Sequence, residues 1–181
     1  MSGNAHKIAE VQRILAPAGV EIVPVSRKIE ELQTEDVDRL VRDKLIKAFE
    51  VIGRPLFVEH TGLYLRGLND LPAGLTQIFW DKLEADRFVN LVAGLGDTTV
   101  MAKTVLGYCD GREIRLFEGS IEGTVPPAPV GPRGFQWDCV FVPNGHIQTF
   151  AEMGEAKDEI SMRRKALDHF AAYLNSVRGV K

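Results

Sequence analysis

Four short segments of this 181-residue chain carry side chains suited to holding a phosphorylated ligand. The first is the opening Ser2-Gly3-Asn4, with Lys7 one helical turn further on. A glycine turn at a helix N-terminus exposes backbone N–H groups to an anion, and the lysine adds a positive charge. The same tripeptide is also an ordinary capping turn, which is the simpler interpretation on local grounds.

The second segment, residues 57–62 (FVEHTG), predicts an apolar strand that ends in polar side chains. Proteins of the α/β class place reactive groups outside the carboxyl ends of their strands. Glu59 is suited to holding Mg²⁺, and His60 is suited to accepting a proton from water near neutral pH. A strand exit with two solvated side chains explains the pattern equally well.

The third segment, residues 131–138 (GPRGFQWD), carries two aromatic side chains. Phe135 and Trp137 are expected on the same side of a strand, where either can form a wall for a flat base. Asp138 can accept hydrogen bonds from N–H groups of such a base. The alternative is two core aromatics beside a capping aspartate, and composition favours that alternative.

The fourth segment, residues 155–163 (EAKDEISMR), is expected to open the last helix. Lys157, Ser161 and Arg163 can hold phosphate or base oxygens there, helped by the helix dipole. A solvated, charged helix start is the usual explanation of such a pattern. Glu35, just before the second predicted helix, is either a metal ligand or part of an acidic cap.

Helices and strands must alternate to position these segments. Apolar spacing predicts helices over residues 4–15, 36–52, 75–95 and 158–177, and strands over residues 20–25, 55–59, 99–109, 113–123 and 135–142. Asp110-Gly111 is a common hairpin turn pair between two of these strands. The sequence therefore predicts a single α/β domain with a mixed, strongly twisted sheet flanked by helices.

Composition excludes several classes of function. The chain has 22 Lys+Arg against 25 Asp+Glu, and a net charge of −3 argues against nucleic-acid binding driven by charge. Its apolar runs are too short to span a membrane, and its first residues do not form a secretory signal. The two cysteines, Cys109 and Cys139, are expected to be reduced, which fits the cytoplasm.

Taken together and in order, these segments resemble the inosine triphosphate pyrophosphatase family. The resemblance rests on the patterns SGNxxK, VExTGL, GPRGFxWD, TFAEM and KxxISxRxKAL, and runs from Ser2 to about Leu174. It implies an enzyme that uses Mg²⁺ to hydrolyse ITP, dITP and XTP to the monophosphate and pyrophosphate. It also implies a two-lobed fold with the nucleotide in a central cleft, and usually a homodimer.

The resemblance further implies roles for individual residues. Phosphate binding is expected of Ser2, Gly3, Asn4 and Lys7; Mg²⁺ binding of Glu35 and Glu59; catalysis of His60 and Glu59; and other substrate contacts of Thr61, Phe135, Gln136, Trp137, Asp138, Lys157, Ser161, Met162 and Arg163.

The sequence departs from the family pattern at four places. His60 stands where the family has the Asp expected to act as general base, Met162 replaces a His, and Gln136 replaces a Gly. The apolar strand that normally precedes SGN is also absent, so either the recorded start lies downstream of the true one or the sheet lacks an inner strand. Three hypotheses follow: an active pyrophosphatase with His60 as base, a non-catalytic relative that binds nucleotides, or an enzyme of the same fold that acts on another phosphorylated ligand.

Overall fold

The computed structural model describes residues 5–178, so Ser2, Gly3 and Asn4 lie outside the described residues. Within that range the helices are α1 (Ala5–Leu15), α2 (Val37–Ile52), α3 (Thr76–Gly94), α4 (Phe150–Met153) and α5 (Met162–Arg178). The strands are β1 (Leu56–Leu65), β2 (Pro72–Ala73), β3 (Thr99–Cys109), β4 (Ile114–Thr124) and β5 (Val142–Pro143). In this part of the chain no helix is both long and apolar enough to cross a membrane.

Helix α2 shows how local sequence chemistry sets the ends of an element. The side chain of Asp36 accepts a hydrogen bond from the Arg39 N–H at 3.0 Å, which satisfies one of the free donors of the first turn. Gly53 ends the helix in the left-handed conformation, with φ 66°, where a side chain would be strained. The predicted helix over residues 36–52 is therefore confirmed.

The sheet has the strand order β2-β1-β3-β4-β5 and is centred on three long strands. β1 pairs with β3 from Leu56 opposite Cys109 to Leu65 opposite Val100. The β3–β4 hairpin turns at Asp110-Gly111, as predicted. Helices pack on this sheet, so the predicted α/β fold is confirmed. All pairings between the described strands are antiparallel, so the sheet in this part of the chain is not mixed.

The predicted strand over residues 20–25 is wrong, the one over residues 135–142 is wrong except for Val142, which begins β5, and the one over residues 55–59 is too short. Residues 20–25 form no strand, because no described strand lies beside them to complete a ladder. Residues 136–140 form a 3₁₀ turn, since Gln136 has φ 43° and the Asp138 N–H bonds back to the Phe135 carbonyl at 3.2 Å. The first long strand continues to Leu65, so the polar residues of the second segment lie inside it rather than after it.

Helices cover both faces of the sheet. One face packs against α1 and α5 around Phe170, and the other packs against α2 around Leu45. A third apolar cluster joins α3 to the 3₁₀ turn around Trp137. Gly119 on β4 lets α5 lie directly on the sheet, because a Cβ there would collide with the Met162 carbonyl oxygen. This close contact sets the start of α5 on the sheet, from which the Arg163 side chain reaches Glu59 and Thr61 of β1.

Candidate active site

A cavity of about 180 Å³ at the edge of β1 collects charged side chains from α1, α2, β1 and the irregular stretch before α2. Successive side chains of a strand point to opposite faces. Phe57 therefore packs with the α5 cluster and Val58 with the α2 cluster, and Glu59 and His60 follow the same alternation. The cavity is lined by Lys7, Glu31, Lys44, Glu59, His60, Thr61, Thr76, Gln77, Trp80, Gln136 and Trp137.

Glu59 is held by two cations. Lys7 Nζ lies 2.9 Å from its Oε1, and Arg163 Nε donates to its Oε2 at 3.1 Å, while the carboxylate side chain is 9% exposed. Burial alone would raise the pKa of Glu59, but the charges of Arg163 and Lys7 hold that pKa well below its usual value. Glu59 is therefore an ionised, fixed carboxylate at neutral pH.

Arg163 is buried between two carboxylates rather than exposed toward a ligand. Its guanidinium forms an ion pair with Glu10 on α1 as well as with Glu59, and its Nη2 lies 3.4 Å from the Thr61 hydroxyl. Glu10 was not predicted from the sequence. Glu10 lies three residues after Lys7, so the two occupy neighbouring positions on one helical face. This spacing is the sequence pattern that could have marked Glu10 as a site residue.

His60 is 8% exposed, and its Nε2 has no hydrogen-bond partner among the described residues. Burial, reinforced by the positive charge of Lys7, lowers the pKa of His60 to about 4. The imidazole is therefore neutral at pH 7 and has a nitrogen lone pair available. A neutral imidazole lining a charged cavity can accept a proton from water.

The structure brings Glu31, not Glu35, to the cavity. Glu31 forms an ion pair with Lys44 of α2; burial acts to raise its pKa, but the lysine outweighs this and the pKa is lowered. Glu35 is exposed and does not line the cavity. Glu31 lies in a stretch without helix or strand, so no periodic pattern in the sequence marks its position.

The aromatic segment is divided between the core and the surface. Trp137 is 4% exposed and lines the cavity from the third apolar cluster. Phe135 lies under the Lys157 ammonium, 4.2 Å from the ring centre. Lys157 also forms an ion pair with the buried Asp138, whose pKa burial raises to about 6 against the effect of that lysine. The two aromatics do not share one strand face, because the 3₁₀ turn separates them.

Three other predicted contacts fall in different places. Gln136 lies at the cavity, and its amide donates to the Gln77 side-chain oxygen at 2.6 Å. Met162 is buried in the third apolar cluster and does not line the cavity, because the start of α5 turns it toward the core. Ser161 is 1% exposed, and its hydroxyl accepts the Arg164 N–H at 3.1 Å, which caps α5.

The charges of the site suit a polyanion bound with a cation. Lys7 and Lys44 supply positive charge beside the carboxylates of Glu31 and Glu59. Among the described residues no three His, Cys, Asp or Glu side chains come together as a ready-made metal site. Magnesium is commonly bound by one or two carboxylates plus substrate phosphates, so the two glutamates fit that arrangement.

Comparisons with known proteins show which family the chain belongs to. Residues 1–173 match the model of the Ham1 family. The chain is 36% identical over 177 residues to inosine triphosphate pyrophosphatase of Yarrowia lipolytica, covering 96% of this chain and 93% of that protein. It is 35% identical over 182 residues to dITP/XTP pyrophosphatase of Methanopyrus kandleri, covering 98% and 96%. A solved HAM1 protein from Coxiella burnetii has the same fold, with a TM-score of 0.83, 24% identity and coverage of 97% and 96%. The chain therefore belongs to the Ham1 family.

Proposed function

We propose that this protein hydrolyses non-canonical purine nucleoside triphosphates, such as ITP, dITP and XTP, to the monophosphate and pyrophosphate. Its relatives at 36% and 35% identity carry the names of that activity. The observation that carries the proposal is the cavity itself, where cations from α1 and α2 meet ionised carboxylates next to the buried indole of Trp137. Cations neutralise a triphosphate, and an aromatic face can pack against a purine.

The reaction breaks the phosphoanhydride bond between the α and β phosphates. Water adds to phosphorus, pyrophosphate leaves, and the proton of the water goes to a base. His60 is the proposed base, because its Nε2 is neutral and unpartnered among the described residues. The negative charge of a bound triphosphate would raise the pKa of His60 above about 4 and so make it a stronger base.

Mg²⁺ is the proposed cofactor, with Glu31 and Glu59 as its protein ligands. When bound it would neutralise phosphate charge and align the leaving group. The position of Glu31 in the cavity favours it over Glu35, the residue expected from the sequence. Glu31→Gln should raise the Mg²⁺ concentration needed for half-maximal turnover at least about tenfold. Glu35→Gln is the matched control and should leave this concentration within about twofold; an effect as large as that of Glu31→Gln would contradict the assignment.

The proposed activity is tested by pyrophosphate release from ITP, XTP, dITP, GTP and ATP, each with and without Mg²⁺. Faster turnover of ITP or XTP than of ATP supports it. Tight nucleotide binding without pyrophosphate release from any of them would instead identify a nucleotide-binding relative without catalysis.

We also propose a homodimer, which the family resemblance implies, and a cytoplasmic location, which the two cysteines suggest. The two described cysteines, Cys109 and Cys139, are both free and buried, which suits a reducing compartment. Light scattering during size-exclusion chromatography tests the oligomeric state, with a mass near 40 kDa expected from the 20.1 kDa chain. The absence of nucleic-acid and membrane partners stays a prediction from charge and composition.

A further inference from the structure

The lining of the candidate active site falls into two groups of side chains. The first group holds the ion pairs Lys7–Glu59 and Lys44–Glu31. The second group is aromatic and amide in character, and consists of Gln77 and Trp80 of α3 with Gln136 and Trp137 of the 3₁₀ turn. Cations neutralise phosphates, and indole faces can pack against a purine. The base of a bound nucleotide would therefore lie against the second group.

Two hydrogen bonds in series cross the rim of this second group. Gln77 Nε2 donates to Asp81 Oδ1 at 2.7 Å, and Gln136 Nε2 donates to Gln77 Oε1 at 2.6 Å. Gln77 and Asp81 are four residues apart on α3, a spacing at which such side chains meet on one helical face. A carboxylate accepts hydrogen bonds and donates none, so Asp81 sets the orientation of both amides. We call these three residues, Asp81, Gln77 and Gln136, the amide relay.

The backbone is held in place at both ends of the amide relay. The Thr76 hydroxyl accepts the Leu63 N–H at 2.8 Å and donates to the Ala73 carbonyl at 2.6 Å, which fixes the start of α3 against β1 and β2. At the other end, Gln136 has φ 43°, a strained conformation that glycine would adopt freely, and it precedes the buried Trp137. The two amides are therefore presented to the cavity from rigid elements.

The fixed orientation leaves the Gln136 side-chain oxygen as an acceptor. No described residue donates a hydrogen bond to this Oε1, and Gln136 lines the cavity. A 6-oxopurine has an N1–H donor beside its O6 acceptor, whereas a 6-aminopurine has an N1 acceptor beside its amino donor. A freely rotating amide could turn to pair with either base, but an amide held by Asp81 matches only one of them. A bound base would also shield the rim from water, so a mismatched pair would stay unsatisfied.

We propose that the amide relay selects 6-oxopurine nucleotides over 6-aminopurine nucleotides, with Gln136 Oε1 accepting the N1–H of the base. This inference rests on the proposed function, because it requires a purine nucleotide in the cavity. Asp81 and Gln77 are positioning residues in it, since they act through Gln136.

The test measures the dissociation constants of IMP and AMP by isothermal titration calorimetry. These monophosphates differ only at N1 and C6 of the purine, and neither can release pyrophosphate. The unchanged protein should bind IMP more tightly than AMP. Asp81→Asn lets both amides turn, so it should tighten AMP binding at least about fivefold and change IMP binding less than about twofold. Asp168→Asn, at an exposed carboxylate of α5, is the matched control and should change neither. An unchanged preference for IMP in Asp81→Asn would overturn the proposal.

A second substitution tests whether the orientation of Gln136 is responsible. Gln77→Glu introduces a carboxylate that can only accept, so it should hold Gln136 in its present orientation without help from Asp81. In the Asp81→Asn background it should therefore restore the preference for IMP, and a preference that stays lost would overturn the proposal. Gln136→Gly cannot separate these effects, because it removes the acceptor and widens the cavity together.

These measurements distinguish the amide relay from the proposed hydrolysis. A protein that prefers IMP through the relay but releases no pyrophosphate from any triphosphate would support the relay and refute the hydrolysis. A protein that releases pyrophosphate while Asp81→Asn keeps its preference for IMP would overturn the relay alone. Binding of neither monophosphate would overturn the relay as well.

Discussion

Replacing Arg163 with methionine tests the ion network beneath the cavity. Arg163 of α5 is 2% exposed, and its guanidinium lies between Glu10 of α1 and Glu59 of β1. Its ion pairs therefore link α5 to both α1 and β1. Methionine keeps much of the side-chain length and apolar volume but removes the charge. Glu59 would keep Lys7 at 2.9 Å, whereas Glu10 would keep only the hydrogen bond that the Ser161 hydroxyl donates at 3.5 Å among the described residues.

The expected loss of stability follows from this burial. Removing one partner of a buried ion pair costs about 3–5 kcal/mol, because the remaining charge stays buried without compensation. We expect about 4 kcal/mol for Arg163→Met. In a domain of this size, that corresponds to a fall in Tm of roughly 8–16 °C.

Arg115→Met provides a matched control, since Arg115 pairs with Glu113 at the surface with side chains 49% and 42% exposed. An exposed pair contributes at most about 1 kcal/mol. Urea unfolding followed by circular dichroism at pH 7.5 measures both variants, and equal m-values confirm that the comparison is of stability alone.

A second substitution separates lost charge pairing from lost packing. In the Arg163→Met background, Glu10→Gln should recover part of the stability, because a buried neutral amide costs less than an unpaired carboxylate. A loss for Arg163→Met no larger than that for Arg115→Met would refute the reasoning. Strictly additive effects of the two substitutions would refute it as well.

Three other predictions concern the cavity. The pKa of His60 is about 4 in the folded protein and 6.5 ordinarily, so as pH falls the unfolded chain binds this proton before the folded protein does. The unchanged protein should therefore lose about 3 kcal/mol of folding stability between pH 6.5 and 4, and His60→Asn should not lose it. Urea midpoints across that pH range measure both proteins. His60→Asp should raise Mg²⁺-dependent turnover by restoring a carboxylate, and unchanged turnover would count against a latent family mechanism. The Gln136 amide bonds to Gln77 at a cavity smaller than the ~300–1,000 Å³ typical of ligand pockets. Removing this bridge with Gln136→Gly should therefore lower KM for nucleotides, and Gln77→Ala should lower it about as much. Different KM values for the two variants would exclude a shared bridge.

Elements whose ends depend on neighbouring residues were predictable from the sequence. α2 begins at the Asp36 cap and stops at Gly53, and the β3–β4 hairpin turns where the Asp110 carboxylate accepts the Arg112 and Glu113 N–H groups. These interactions span two to four residues, so the sequence contains both partners side by side. The residue types of the site were predictable for a similar reason, because the family motifs are short and contiguous.

Placement in the cavity depended on residues far apart in the chain. Arg163 meets Glu10 across 153 positions, and no local pattern predicts that pair. Glu31 reaches the cavity through Lys44 of α2, whereas the nearby Glu35 stays exposed. Met162 follows a binding motif in the sequence but packs in the core, because the contact of α5 with β4 sets its direction.

Strand formation separates most clearly what the local sequence determines from what the tertiary structure determines. The sequence by itself determined that residues 20–25 are β-prone, through their branched side chains, and that residues 55–59 belong to an apolar strand. Only the tertiary structure decided which of them forms a ladder: β3 lies beside β1, while no described strand lies beside residues 20–25. The physical reason is that a helix closes its hydrogen bonds within one segment, whereas a strand closes them with another segment.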